Sequence, residues 1–320
     1  MQTTKPMQLF IKKPAEGKFG KRPEERTPEE LINYGLVNID KPKGPSSHQT
    51  ADYVKKILKI DKAGHSGTLD PAVTGVQPIA LGKATRITRF FLTAPKEYVC
   101  LMHLHKEVEE KDLMEAIGQF VGKIQQLPPV KSAIKRQVRT REIYEFKVLE
   151  IKGQDILFKV KCQAGTYIRK LCHDLGQALQ VGAHMAELRR TQAGPFTEED
   201  NLITLNDLQD AYYFYTEEHN PNYLLACIQP IESALRFIPK CWILDNTIES
   251  LAHGRDLAIP GISKLENFRK GELVAILTLK GELVALGEAL MSAVEINTQE
   301  KGLAIDVKKV FMEILPKKQE

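Results

Sequence analysis

GHSGTLDPAVTG, residues 64–75, sets one histidine and one aspartate among glycines, small residues and a proline. Regular helices and strands disfavour so many turn-forming residues, which predicts a tight, irregular loop. His65 and Asp70 are five positions apart, and the nearby His48 gives no recognised metal-ligand spacing. An aspartate before a proline is also an ordinary turn residue, so the loop alone leaves open whether Asp70 carries chemistry.

The length and composition are those of a globular protein with several domains. The chain has 320 residues, of which 42% are hydrophobic and 27% charged, and this predicts two or three domains. Charges or glycines interrupt every apolar run of membrane-spanning length, so we expect no membrane partner. Five cysteines form no CxxC pair, which argues against structural zinc and disulfides and predicts a reducing, cytoplasmic environment.

Positive charge is concentrated in short segments. The net charge of +4 decides little, but residues 131–141 contain no acid and carry Lys131, Lys135, Arg136, Arg139 and Arg141. Residues 83–89 add three more basic side chains. Such clusters suit a polyanion, because arginine grips phosphate through a forked pair of donors. Composition therefore favours a nucleic acid as the partner over a merely solvated charged surface.

Strand and helix patterns are mixed along residues 31–236, which we predict to form one domain. Periodicity predicts strands at 35–42, 97–104 and, as a hairpin, 141–162; it predicts helices after Ser46 or Ser47, at 109–122 and at 165–182. Helices interspersed with hairpins indicate an α+β fold around a mixed, largely antiparallel sheet.

The ends of the chain have different compositions. Residues 237–316 contain KGELVA twice, at 270–275 and 280–285, which indicates a symmetric hairpin within a small β-barrel. Residues 1–30 are rich in Lys, Glu, Pro and Gly, and we expect them to form an irregular or partly mobile basic arm.

Separated segments of the chain resemble the TruB branch of the pseudouridine synthases. The motifs occur in order and at suitable separations: NIDKPKGPSSH (38–48), GHSGTLDPAVTGVQPIALGKATR (64–86), KEYV (96–99), GTYIRKLCHDLG (165–176) and AHMAELRRTQAGPF (183–196). HGRDLAIPGI (253–262) and GELVALGEALM (281–291) are similar to a PUA domain, an RNA-binding β-barrel.

Within this family the chain most resembles the dyskerin type, the catalytic subunit of box H/ACA guide-RNA particles. Ser66 and PPVKSAIKRQVRTREIY (128–144) carry that resemblance. The chain ends at LPKKQE, where eukaryotic members usually continue in a lysine-rich tail. We therefore expect an archaeal protein located in the cytoplasm; a eukaryotic one would be nucleolar.

The resemblance implies an isomerisation that needs no cofactor and no metal. A uridine in RNA is detached at its N-glycosidic bond, turned, and rejoined through carbon 5. Asp70 aligns with the aspartate that attacks or deprotonates the ribose, and Arg169 with the arginine that pairs with it, which favours the ionised carboxylate. Tyr98 aligns with the tyrosine that lies against the target base and is a candidate general base.

The remaining expected site residues shape access to the pocket. Leu188 aligns with an apolar wall, and His65 with the histidine that fills the space of the everted uridine. Lys41 and Pro42 are expected to brace the loop from behind. The implied partners are an H/ACA guide RNA, rRNA or tRNA substrate, and three accessory proteins: a small zinc-ribbon-like subunit, a Gar-type subunit and a kink-turn binder.

Three other functions compete with this interpretation. A stand-alone synthase acting on a tRNA stem-loop would use the same active site and stays open. The presence of Asp70, Tyr98 and Arg169 argues against a non-catalytic RNA-binding scaffold. A metal-dependent RNA hydrolase or deaminase would need a cluster of ligands that the sequence does not show.

The basic segment yields a first testable prediction. Replacing Lys135 and Arg136 by glutamate should weaken RNA binding and flatten its dependence on salt, because fewer counterions are released when fewer phosphates are neutralised. Filter binding at several salt concentrations measures both effects. Affinity equal to that of the unmodified chain at low and high salt would contradict the prediction.

Overall fold

The computed structural model describes residues 8–127 and 137–312, which divide into two compact units. One unit comprises residues 32–228, and the other combines residues 8–31 with residues 229–312. The N-terminal segment, for which the sequence predicts an arm, is thus grouped with the C-terminal part of the chain.

Helices and strands follow one another in mixed order. The helices of the described residues are α1 Pro28–Tyr34, α2 Ser47–Ile57, α3 Thr88–Phe91, α4 Glu110–Gln119, α5 Ile168–Ala178, α6 Leu205–Glu217, α7 Asn222–Cys227, α8 Asp245–Ala252 and α9 Ala293–Thr298. The strands are β1 Leu9–Ile11, β2 Gly35–Lys41, β3 Ala63–His65, β4 Thr74–Leu81, β5 Lys96–Leu104, β6 Gly122–Gln126, β7 Arg139–Lys152, β8 Asp155–Cys162, β9 Ala183–Ala193, β10 Phe196–Thr197, β11 Leu202–Ile203, β12 Gln229–Pro230, β13 Lys240–Ile243, β14 Leu257–Ala258, β15 Ile262–Glu266, β16 Leu273–Leu277, β17 Leu283–Ala289 and β18 Leu303–Val310. In the part of the chain that the structure describes, no helix is long and apolar enough to cross a membrane.

The unit of residues 32–228 is built on a sheet with the strand order β11-β2-β4-β9-β5-β8-β7-β6. The pairs β11–β2 and β4–β9 are parallel, and the other neighbouring pairs along this order are antiparallel. The predicted hairpin is confirmed as β7 and β8, which pair from Lys152 with Asp155 onward. The α+β fold with a mixed, largely antiparallel sheet is therefore confirmed.

Local sequence signals set the ends of the two helices that matter for the site. Ser46 is the N-cap of α2 and forms a capping box with Gln49, which satisfies two backbone donors at the helix start. Helix α5 begins at Ile168, three residues later than the start of its predicted range. Its buried residues, including Leu171, Cys172 and Leu175, belong to the hydrophobic core of this unit, and the helix contacts β9.

The stretch 64–75 is only partly irregular. Its first two residues end β3 and its last two begin β4, so the expectation of an entirely irregular segment is wrong at both ends. The physical reason is pairing: β3 and β4 form an antiparallel pair in which His65 lies opposite Ile79. The loop proper is residues 66–73.

The other unit contains a seven-stranded sheet in the order β1-β15-β13-β16-β17-β18-β14. The two KGELVA segments contribute to β16 and β17, which pair antiparallel as predicted. Arg26 is buried within this unit and makes a two-pronged ion pair with Glu232, at 2.6 and 2.8 Å. A carboxylate and a guanidinium in this two-pronged geometry satisfy each other's hydrogen-bonding groups.

The close approach of β4 and β9 makes Gly75 a critical position. Gly75 has φ +103°, and an added Cβ would lie 2.2 Å from the carbonyl oxygen of Arg190. Gly75→Ala should therefore lower the melting temperature more than Gly44→Ala, whose φ of +118° is similarly strained but whose Cβ would meet nothing within 4 Å. The backbone strain alone costs about 1–3 kcal/mol in either variant. Equal shifts in thermal unfolding would show that the contact with β9 is not limiting.

Candidate active site

The Asp70 loop meets the first turn of α5. The Nη2 atom of Arg169 donates to the Oδ2 atom of Asp70 over 3.4 Å. Both side chains are open to solvent, with 57% of Arg169 and 64% of Asp70 exposed. An exposed ion pair adds little to stability, so its importance lies in holding a carboxylate and a guanidinium together where a solute can reach them.

The loop is fixed from beneath by Lys41. This side chain is fully buried, and its Nζ atom donates to the carbonyls of Pro42, Pro71 and Val73 over 2.9, 3.2 and 2.8 Å. Pro71 and Val73 belong to the loop, whereas Pro42 directly follows β2. One ammonium group therefore ties the loop to the end of β2. Burial lowers the pKa of Lys41, and the positive charge of Arg190 lowers it further while Asp70 opposes the change.

A second buried group holds the residue before Asp70. The Oγ atom of Ser47, at the start of α2, accepts a hydrogen bond from the backbone N–H of Leu69 over 2.7 Å. The same hydroxyl lies 3.2 Å from the Leu69 carbonyl, to which it donates. The side chain of Leu69 is itself buried. The backbone on each side of Asp70 is therefore immobilised while its carboxylate stays exposed.

Four residues form one row across the sheet beneath the loop. Lys41 on β2 pairs with Gly75 on β4, Gly75 pairs with Arg190 on β9, and Arg190 pairs with Tyr98 on β5. Laterally paired residues project from the same face of a sheet. Lys41, Arg190 and Tyr98 thus share one face, and Gly75 leaves space between the two cations.

Tyr98 is half-buried beside Arg190. Removal from water raises the pKa of the Tyr98 phenol, and the guanidinium of Arg190 opposes part of that rise. The phenol is consequently neutral at pH 7, and it can donate one hydrogen bond and accept others. Burial also lowers the pKa of Arg190, although an arginine remains protonated at any physiological pH.

His65 precedes the loop and packs against His48. The two rings are 4.7 Å apart between centroids and meet edge to face at 71°. Burial, the neighbouring His48 and the charge of Arg190 lower the pKa of His65 to about 4. His65 is therefore a neutral ring at pH 7, and both ring nitrogens are buried without a hydrogen-bond partner among the described residues.

Arg169 and Leu188 line one small cavity. Its volume is about 160 Å³, and its walls are Lys43, Ala72, Thr74, Arg169, Met185, Ala186, Glu187 and Leu188. This is below the range of about 300–1,000 Å³ usual for drug-sized ligands and suits a single small ring. A larger cavity of about 420 Å³ shares Thr74 with it and includes the ion pair between Asp40 and Arg189.

The predicted RNA-binding residues fall into two groups. Lys131, Lys135 and Arg136 lie outside the described residues. Arg141 is on β7, where its Nε atom donates to the carbonyl of Gly165 over 3.0 Å and its Nη1 atom donates to that of Thr140. It thereby supports the segment that leads into α5. Arg139, at the start of β7, is partly buried.

Sequence reasoning missed two buried cations of the site, Arg190 and Lys96. The Nζ atom of Lys96 donates to the carbonyls of Phe91 and Ala94, and burial together with Arg190 lowers the pKa of Lys96 to about 8. One signal was available for Arg190. Side chains alternate along a strand, so a pocket-facing Leu188 places Arg190 on the same face.

The arrangement offers an exposed carboxylate, a guanidinium, a neutral phenol and a small cavity with an apolar wall. In residues 8–127 and 137–312, no group of three or more His, Cys, Asp or Glu side chains is placed to hold a metal ion. A carboxylate on a rigid loop beside a cation can attack an electrophilic carbon or remove a proton without reorganising its surroundings.

Comparison with known proteins agrees with the fold. Residues 55–168 match the N-terminal domain of the TruB family pseudouridylate synthases, and residues 169–236 match the C-terminal domain of tRNA pseudouridylate synthase B. Residues 239–311 match the PUA domain and residues 6–51 the DKCLD domain. The chain belongs to the TruB family of pseudouridine synthases, and it is an enzyme of that class with a C-terminal PUA domain.

Relatives and solved structures match nearly the whole chain. Proteins described as probable tRNA pseudouridine synthase B from Methanothermobacter thermautotrophicus and Pyrococcus furiosus are each 53% identical over 92% of this chain, which covers 91% and 87% of their lengths. A chain of the crystal structure of a Cbf5-Nop10-Gar1 complex is 51% identical, with a TM-score of 0.90 over 96% of this chain and 94% of that chain. A chain of an H/ACA RNP bound to a substrate RNA containing 2′-deoxyuridine is 49% identical, with a TM-score of 0.90, over 96% of this chain and 95% of that one.

His65, a half-buried residue whose two ring nitrogens are both buried, predicts a pH dependence of stability. Its pKa is about 4 in the folded chain and about 6.5 in the unfolded chain, so between these values only the unfolded chain binds the proton. The free energy of unfolding should therefore fall as the pH drops from 6.5 towards 4. His65→Gln should show a shallower fall, measured as the urea midpoint across this range.

A matched variant controls for other titrating groups. His173→Gln changes a histidine of α5 whose side chain is 59% exposed, and it should keep the slope of the unmodified chain. A slope for His65→Gln equal to that of the unmodified chain would contradict the prediction.

Proposed function

We propose that this chain isomerises guide-selected uridines in RNA as the catalytic subunit of a box H/ACA particle. The observation that supports this most strongly is its likeness, along 96% of its length, to chains of a Cbf5-Nop10-Gar1 complex and of an H/ACA RNP with substrate RNA. Under this proposal a guide RNA selects the uridine by base pairing, and the chain supplies the chemistry.

In this proposal Asp70 initiates the reaction and Arg169 orients its carboxylate. The bond between N1 of uracil and C1′ of ribose breaks, the base turns, and C5 bonds to C1′. The proton lost from C5 is balanced by the proton that N1 gains, so the reaction consumes no cofactor. Asp70 acts either on C1′ directly or by removing a ribose proton, and the 3.4 Å contact with Arg169 suits both roles.

Tyr98, Leu188 and His65 surround the everted base. Because burial raises the pKa of Tyr98, we assign its neutral phenol to packing and hydrogen bonding rather than to a resting general base. Leu188 provides the apolar wall of the cavity. His65, neutral at pH 7, would take the place that the uridine leaves, since an uncharged ring can stack among bases.

The RNA and protein partners are part of the proposal. The basic residues from Lys131 to Arg141 would neutralise substrate phosphates, with Arg141 also supporting the loop before α5. By likeness to the solved complexes, proteins of the Nop10 and Gar1 types would bind the chain. A kink-turn binder is a further expected partner, implied by the family resemblance of the sequence. We place this assembly in the cytoplasm of an archaeon.

A stand-alone activity on tRNA is the second candidate. The curated relatives are described as probable tRNA pseudouridine synthase B, and the same site would serve either substrate. The two functions differ in whether a guide is required. Mass-spectrometric mapping of pseudouridine in an rRNA fragment, with and without guide RNA and accessory proteins, tests the first. Modification of a bare tRNA transcript by the isolated chain would favour the second.

The role of Asp70 makes a direct prediction. Asp70→Asn should lower the single-turnover rate of pseudouridine formation by about a thousandfold or more, because the amide can neither attack nor accept a proton. RNA affinity should stay within about threefold, since the exposed carboxylate is not a phosphate ligand. Asp112→Asn, on the exposed face of α4, is the matched control and should keep the full rate. Turnover by Asp70→Asn near that of the control would remove Asp70 from its proposed role.

A further inference from the structure

Arg190 is placed where the parts of the site meet. It is 1% exposed and lies in the row between Gly75 and Tyr98. Its charge acts on the pKa values of four surrounding groups: Lys41, His65, Lys96 and Tyr98. No acidic side chain is found among the buried residues that the structure describes, and the hydrogen bonds of this guanidinium go to backbone carbonyls.

Two nitrogens of Arg190 lie against backbone carbonyls at the two ends of the Asp70 loop. Its Nε atom donates to the carbonyl of Val76 over 2.7 Å, just after the loop enters β4. Its Nη1 atom lies 3.5 Å from the carbonyl of Gly67, at the other end of the loop. Gly67 has φ +106°, and a Cβ there would lie 3.7 Å from Nη1, so the loop backbone rests on the guanidinium.

The third nitrogen of the Arg190 guanidinium, Nη2, does not bond to the backbone that the structure describes. Nη2 is buried and has no hydrogen-bond partner within 3.5 Å among the described residues. A buried donor without an acceptor is costly, and such groups in native structures mark strained or functional positions. The pairing partner across β5 and β9 is Tyr98, whose phenol interacts with the guanidinium.

We propose that Arg190 is a positioning residue of the catalytic centre: its rigid fork sets the base of the Asp70 loop and the phenol of Tyr98 in a fixed relation. Asp70 and Tyr98 then contact the same everted pyrimidine. The Nη2 donor of Arg190 is available to orient the Tyr98 phenol when the pyrimidine ring binds. This inference rests on the proposed function for its catalytic consequence. Its structural half, that Arg190 orders the loop, stands separately.

The catalytic half is tested by a double-mutant cycle of Arg190→Met and Tyr98→Phe in the full chain with its RNA. At saturating RNA, Arg190→Met should lower the single-turnover rate by about 100-fold, because a displacement of about 1 Å can cost that much. RNA affinity should stay within about threefold. The double variant should be about as slow as the slower single variant, since both changes disrupt one arrangement. Rate losses that multiply would overturn the proposal.

A buried arginine in the other unit provides the matched control. Arg26→Met removes the ion pair with Glu232 and should lower the melting temperature. Its rate per folded molecule at saturating RNA should nevertheless stay within about threefold of that of the unmodified chain. An equal loss of rate in Arg26→Met and Arg190→Met would show that Arg190 acts only through general stability.

The structural half is tested without activity. Hydrogen–deuterium exchange of a peptide spanning residues 64–75 should be faster in Arg190→Met than in the unmodified chain and in Arg26→Met. Unchanged exchange would overturn the proposal even if turnover falls. Should the unmodified chain form no pseudouridine, the proposed function fails, while the exchange experiment still decides whether Arg190 orders the loop.

Arg190→Lys should recover about tenfold of the lost rate, because an ammonium can hold one carbonyl but not both. No recovery over Arg190→Met would contradict the role of these bonds.

Discussion

The buried ammonium of Lys41 is the interaction on which the site depends. A charge removed from water must be compensated by hydrogen bonds. Here the compensating acceptors are the carbonyls of Pro42, Pro71 and Val73. Those carbonyls can converge on one point only if the backbone around Pro71 keeps a single conformation. The rigidity of the Asp70 loop is therefore a consequence of satisfying a buried cation. The carboxylate itself remains exposed and free to react.

Strand pairing places further site residues beside Lys41 in the sheet. Lys41, Arg190 and Tyr98 lie in one row because β2, β4, β9 and β5 are neighbours, although Tyr98 and Arg190 are far apart in sequence. Because β9 pairs with both β4 and β5, the motifs in the first half of the unit lie beside the motif carried by β9 in the second half. Gly75 is required at the centre of the row, since any side chain there would collide with the backbone of β9.

The site combines a stable base with an exposed reactive edge. Lys41, Ser47 and Arg190 are buried and hydrogen-bonded to backbone, whereas Asp70 and Arg169 face solvent. This division suits an enzyme whose substrate is a large RNA, because the reactive groups must be reached from outside while their geometry must not change. The C-terminal PUA domain has a separate core of its own, built around residues such as Ile276 and Leu251.

From the sequence alone, periodicity determined β2, β5, the β7–β8 hairpin and α5, and the motifs identified the family and the pairing of Asp70 with Arg169. These follow from local patterns or from residues whose types carry the chemistry. Tertiary structure alone decided that residues 8–31 join the C-terminal unit, that both ends of the 64–75 stretch pair as strands, and that Arg190 lies beside Tyr98. Each of these depends on strand pairing that the local pattern does not specify, and a buried arginine held by carbonyls leaves no acidic partner in the sequence to reveal it.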